Sequence, residues 1–174
     1  MAKDHVTRRS FLKVGATGAA TAGAVGLLGA PAPVRATHLN ETLRVGVIGT
    51  GGRSNTHLGI LLRMEEAQKP VEAAALCDVY RLNLDRAADR VRKATGRDPK
   101  RSTDYRELIH EADVDAVCIA TPDHWHARQT IDALEAGKHV YCEKPMTHTI
   151  PEAQQVVSAW ERSGRVVQVG VQRA

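Results

Sequence analysis

The sequence predicts an α/β fold, a doubly wound parallel sheet, and three observations carry that prediction. Short apolar runs recur from residue 43 onward. Stretches with apolar residues at helical spacing separate them. A glycine-rich turn containing Gly49, Gly51 and Gly52 follows the first run directly. Strands alternating with helices on this scale are how parallel strands joined by crossover helices read in sequence.

The strand candidates are 43–48, 71–77, 114–120, 140–142 and 166–171. None alternates strictly between polar and apolar residues, so each is expected to be covered by helices on both faces. Helical spacing marks 55–66, 82–94, 105–111, 125–135 and 151–162. The ends agree with these spans. Thr149 and Glu152 match a capping box with Pro151 in the first turn, while Gly137 and Gly164 stand where a left-handed residue closes a helix.

Residues 1–36 have a different character. Thr7, Arg8, Arg9, Ser10, Phe11, Leu12 and Lys13 place paired arginines ahead of a short hydrophobic pair and a lysine, a close resemblance to the twin-arginine export motif. The stretch 14–30 is weakly apolar and rich in Gly and Ala, and Ala30, Ala32, Val34 and Ala36 then offer small residues for cleavage. A signal peptide over 1–36 cut after Ala36, a linker over 37–42 and a folded domain over 43–174 are expected. The twin-arginine translocase would then be a partner, and the periplasm or another exported compartment the destination. That route carries proteins already folded, often with a cofactor in place.

The net charge of +4 belongs to this leader. Lys3, Arg8, Arg9, Lys13 and Arg35 stand there against Asp4 alone, and basic and acidic residues balance in the remainder. A neutral body with two Trp, three Tyr and one Phe has neither the basic patch nor the aromatic platform that nucleic acid requires, so that partner is excluded. Cys77, Cys118 and Cys142 cannot close into pairs, and their spacing fits no zinc or redox pattern. They are expected as small buried hydrophobes.

The chemistry-bearing residues fall at the ends of strands. Gly49 would make the tight turn, Gly51 and Gly52 would let the backbone approach a pyrophosphate, and Ser54 occupies the position of a third small residue, ahead of a helix N-terminus suited to phosphate. Arg53 lies in the same loop. These features mark a Rossmann-type dinucleotide site. Asp78 closes the second strand, where a carboxylate binds the adenosine ribose and repels a 2'-phosphate; this favours NAD, and the nearby Arg81 keeps NADP open. Asp78 could also cap the next helix. Thr121, Pro122 and His126 follow a later strand and should face the cofactor. A metal at Asp123, His124 and His126 lacks a fourth ligand and is not expected, and capping by Asp123 is the alternative. Glu143, Lys144 and Pro145 follow the next strand. A lysine there can hydrogen-bond a substrate hydroxyl as hydride leaves its carbon, although alone it would also suit a solvated surface.

In combination, the 49–52 loop, Asp78, Thr121-Pro122 with His126, Glu143-Lys144-Pro145 and the closing Val169-Gly170-Val171-Gln172-Arg173 resemble the glucose-fructose oxidoreductase, inositol dehydrogenase and rhizopine-catabolism (Gfo/Idh/MocA) family. The resemblance implies a nicotinamide dinucleotide cofactor and hydride transfer to or from sugars, inositols and related polyols. It implies that Lys144 is the catalytic lysine, that Glu143 and Pro145 lie near the nicotinamide, and that His126 lies in the cofactor cleft. It also implies that the family's general acid/base, a histidine with a nearby aspartate, belongs to a C-terminal α/β substrate domain lying beyond Ala174. Three functions stay open on the residues alone: an exported oxidoreductase acting on a sugar or polyol, a glycosidase using transient NAD-dependent oxidation, and a non-catalytic NAD-binding module. Self-association into a homo-oligomer also stays open, since an uncovered apolar face favours it.

Overall fold

The computed structural model describes residues 42–171. The predicted leader and cleavage site, nearly all of the linker, and Gln172 and Arg173 lie outside the described residues. Six strands form one sheet: β1 (Leu43–Ile48), β2 (Val71–Cys77), β3 (Lys100–Ser102), β4 (Ala116–Ile119), β5 (His139–Glu143) and β6 (Val167–Gly170). All neighbours pair in parallel, in the order β3-β2-β1-β4-β5-β6. Five helices connect them: α1 (Ser54–Glu66), α2 (Arg81–Thr95), α3 (Tyr105–Glu111), α4 (His126–Glu135) and α5 (Ile150–Ser163).

The helices divide between the two faces as the apolar pattern requires. Leu58 and Leu62 of α1 and Leu84, Ala87 and Val91 of α2 pack with Val45, Val47 and Leu76 on one face. Leu108 and Ile109 of α3, Ala133 and Leu134 of α4 and Ala159 of α5 pack with Ile48, Val117, Ile119 and Cys142 on the other. Each large side chain fully buried in these layers contributes about 1.5–3 kcal/mol. At Gly46 of β1 a Cβ would stand 2.6 Å from Leu108 Cδ2, so this glycine lets α3 lie close to the sheet.

The structure adds β3, whose Lys-Arg-Ser sequence carries no apolar signal. It is an edge strand, and its exposed basic residues discourage pairing with another chain. The predicted helix 125–135 is preceded by a 3₁₀ turn at Asp123–Trp125 and becomes α-helical at His126. The capping box is complete at Thr149 and Glu152, and Gly137 and Gly164 have φ of 73° and 63°. All three cysteines are free and buried. Burial pushes their thiols up to about 12 at Cys77 and Cys118 and about 11 at Cys142, which leaves them poor nucleophiles.

Candidate functional site

Connections from β1 and β4 leave the sheet toward opposite faces, which opens a crevice at the carboxyl ends of these adjacent strands. The glycine turn crosses it under tight constraint. Gly49 has φ of +82°, and a Cβ there would lie 2.9 Å from the Ala120 carbonyl and the Thr121 amide nitrogen. Only glycine permits that passage. A Cβ on Gly51 would meet Asn83 Nδ2 at 3.1 Å, whereas one on Gly52 would meet nothing within 4 Å. Gly52 therefore leaves open space beside the N-terminus of α1, where a helix favours an anion. Ser54 begins α1, is 1% exposed and fills the third small position; its Oγ has no hydrogen-bond partner among the described residues.

Asp78 follows β2 and is tied to this turn. Its Oδ2 accepts from the Thr50 backbone N–H at 2.7 Å and from Thr50 Oγ1 at 3.0 Å, and its Oδ1 accepts from the Tyr80 N–H at 2.8 Å. The N-cap of α2 is Tyr80, so Asp78 does not cap that helix. The carboxylate fixes the glycine turn from the β2 side and borders a cavity of about 690 Å³ together with Gly51, Asn83, Tyr105, Thr121 and Trp125. Tyr105 donates to Asp132 at 2.7 Å and meets the Trp125 ring edge-on at 6.3 Å, while the Arg106 guanidinium lies 4.7 Å from its centroid. These side chains form an aromatic wall opposite the glycine turn.

The loops after β4 and β5 are cross-braced. The buried His126 places Nδ1 2.7 Å from the Pro145 carbonyl and Nε2 2.9 Å from the Thr121 carbonyl. Thr121 also donates through Oγ1 to Gln129 Oε1 at 2.7 Å. Asp123 caps neither helical segment through its side chain; it pairs instead with His148 at 3.3 Å. Desolvation opposes ionisation of Asp123, but the His148 contact prevails and holds its carboxyl below the usual range. Thr121, Asp123 and His126 thus direct their side chains to neighbouring protein groups. Among the described residues no group of three or more metal-ligating side chains gathers.

Glu143 ends β5 and is buried. Its Oε1 accepts from Arg53 Nε at 2.9 Å and from His57 Nε2 at 2.7 Å, and Oε2 accepts from the Lys144 N–H at 3.3 Å. Burial would raise its pKa, yet the Arg53 and His57 donors hold it below the usual carboxylate range. Lys144 is exposed and joined to Pro145 by a cis peptide. Arg53, Thr121, His126, Glu143, Lys144 and Pro145 border a second cavity of about 320 Å³.

Every predicted site residue lies along this one edge. Gly49, Gly51, Gly52, Asp78, Thr121 and Pro122 line the larger cavity, and Arg53, His126, Glu143 and Lys144 the smaller, with Thr121 common to both. Sequence reasoning missed Thr50, Tyr105, Trp125, Gln129, Tyr141 and His57. Of these, Thr50 and Trp125 fall in the loops after β1 and β4 that the sequence marks for chemistry, while the others lie inside predicted helices or a predicted strand, where nothing local sets them apart. A long cleft with a glycine cradle, a carboxylate at the β2 end and a lysine at the β5 end fits an extended dinucleotide with a substrate beside its far end.

Comparison with known proteins agrees with this geometry. Residues 43–171 match the family model GFO_IDH_MocA, described as an oxidoreductase family with an NAD-binding Rossmann fold. A glycosyl hydrolase family 109 protein of Shewanella baltica is 36% identical over 184 residues, which takes in 91% of this chain and 38% of that protein. An alpha-N-acetylgalactosaminidase of Shewanella oneidensis is 35% identical with the same coverage. The chain therefore spans less than two fifths of the length of these curated relatives. Among solved structures, the WlbA dehydrogenase of Bordetella pertussis, determined with NADH and UDP-GlcNAcA, superposes with a TM-score of 0.65 at 27% identity, covering 74% of this chain and 37% of that one. Myo-inositol 2-dehydrogenase of Lactobacillus plantarum gives 0.67 at 26% identity, covering 75% and 36%.

Proposed function

Since the chain belongs to the Gfo/Idh/MocA oxidoreductase family and is its NAD-binding Rossmann domain, we propose that it is the nucleotide-binding part of an exported enzyme that transfers hydride at a carbinol carbon of a sugar or polyol. The observation that carries this is the placement of Lys144. It stands exposed at the β5 end of the cleft, bordering one cavity with Arg53 of the glycine loop and with His126. NAD, when bound, supplies the hydride acceptor. The chain's own residues bind and orient. Asp78 and the glycine turn hold the adenosine ribose and pyrophosphate. His126 stands between the 121 and 145 carbonyls, and the Lys144 ammonium hydrogen-bonds the substrate oxygen and stabilises negative charge developing there. A general base and a surface to hold the sugar would come from a substrate domain or a partner. Export is supported by the order of residues 1–36: paired arginines, a weakly apolar stretch and small residues before Ala36.

A second function shares the same hydride step. The relatives at 35% and 36% identity carry glycosidase names, which favours a glycosidase whose NAD is reduced and reoxidised within each turnover.

One experiment tests both. The protein recovered from the periplasmic fraction of its host, and the corresponding Lys144→Met protein, are mixed with polyols or with aryl α-N-acetylgalactosaminide, and NADH and released aryl alcohol are followed. NADH accumulation on a polyol is expected for the oxidoreductase. Aryl release without net NADH would establish the glycosidase. Either activity should fall at least ~100-fold in Lys144→Met, with NAD affinity little changed. Turnover of either substrate that survives Lys144→Met would overturn the role given to this lysine.

A further inference from the structure

His57, one turn into α1, meets the active-site loop from beneath. Arg53 and His57 are four residues apart where α1 begins, a spacing that puts both on one side of the helix. They converge on a single oxygen, Glu143 Oε1, at 2.9 and 2.7 Å, across 90 and 86 residues of sequence. Glu143 and Tyr141 alternate along β5 with Val140 and Cys142, which pack into the layer beneath α4 and α5. Both therefore face the α1 side. The Tyr141 ring meets His57 edge-on at 5.1 Å, so the imidazole packs against β5 as well as bonding Glu143. A carboxylate oxygen can only accept, so His57 Nε2 carries the hydrogen. The other oxygen of Glu143 receives the backbone N–H of Lys144. One buried carboxylate thus joins the helix that follows the glycine turn to the backbone of the lysine loop.

We propose that His57, acting through Glu143, is a positioning residue that holds the Lys144–Pro145 loop in register with the glycine turn, and so orders the nicotinamide half of the cleft. This rests on the chain binding NAD through that cleft. His57 touches neither cofactor nor substrate in this arrangement. Its loss leaves Asp78, Thr50 and the glycine turn intact, because none of their hydrogen bonds involves it. The β5 end alone loses a charge-assisted hydrogen bond and keeps the Arg53 contact to Glu143, so its tie to α1 is weakened.

The test compares two ligands that share the adenosine and pyrophosphate but differ at the nicotinamide. Dissociation constants for NADH and ADP-ribose are measured by calorimetry on the full chain, on His57→Leu and on His57→Gln, whose amide nitrogen reaches the place of Nε2. In His57→Leu, NADH is expected to weaken roughly tenfold, the loss of one charge-assisted hydrogen bond, while ADP-ribose changes less than about twofold. In His57→Gln, NADH affinity is expected to return to within about threefold of the parent. His57→Asn, too short to reach the carboxylate, should behave as His57→Leu and serves if that variant does not fold. Equal weakening of both ligands, or no change in either, would overturn the proposal. A parent chain that binds neither ligand would instead overturn NAD binding by the cleft.

Discussion

Asp78 ties the end of β2 to the glycine turn. Both of its oxygens accept hydrogen bonds from the protein, two of them from Thr50 in the glycine turn. Oδ2 spends both lone pairs on Thr50, whereas Oδ1 keeps one beyond its bond from Tyr80, and a ribose hydroxyl needs only one. A 2'-phosphate would bring like charge to the same place. Asp78→Asn keeps an acceptor for Thr50 and removes the charge. NADPH affinity should then rise roughly tenfold with NADH affinity within about threefold of the parent. An unchanged ratio in paired titrations would show that selectivity lies elsewhere. The candidate residues at strand ends were legible as positions because a parallel sheet places its ligands outside the carboxyl edge, so counting along each apolar run puts Asp78, Thr121 and Lys144 at the cleft. His57 was not. It sits within an amphipathic helix, and the residue that gives it a purpose is 86 positions away. Nothing local distinguishes such a histidine from one that fills a core.

At the level of elements, β1, β2 and α3 coincide with their predicted spans, and α5 is set by its cap. Thr149 Oγ1 accepts from the Glu152 N–H, and the Glu152 carboxylate returns to the Thr149 N–H at 3.1 Å and the His148 N–H at 2.7 Å. The backbone contacts, chiefly that with His148, hold the Glu152 carboxyl below its usual range. Thr149→Ala should cost about 1 kcal/mol and lower Tm by roughly 4 °C in a thermal melt. A melt identical to the parent's would mean that packing of Val156 and Ala159 sets this helix by itself. One strand escaped, and one helix start differs by a residue. Strand β3 is three residues of Lys, Arg and Ser, held by pairing with Ala75, Leu76 and Cys77. No periodicity can announce an element so short. The start of α4 was placed one residue early because the 3₁₀ turn before it continues the same helical spacing while Pro122 supplies the N-cap.

Across the whole domain, the sheet order makes the chemistry. The strand order reverses direction at β1 and β4, and the loops on either side are tied by Asp78 to Thr50, by His126 to Thr121 and Pro145, by His148 to Asp123, and by Glu143 to Arg53 and His57. These ties pre-organise a cleft before ligand arrives, which lowers the ordering cost of binding. Gly52 is the position at which NAD lying across the glycine turn would be felt first. A Cβ there meets no protein atom within 4 Å, so the fold has room for a side chain that the ligand does not. NADH is titrated into the parent chain and into Gly52→Val, following dihydronicotinamide fluorescence, with a thermal melt of each. Saturable binding to the parent, a loss of at least ~30-fold in Gly52→Val and matching melts are expected. Equal affinity in the two folded proteins would contradict the placement of NAD on this turn.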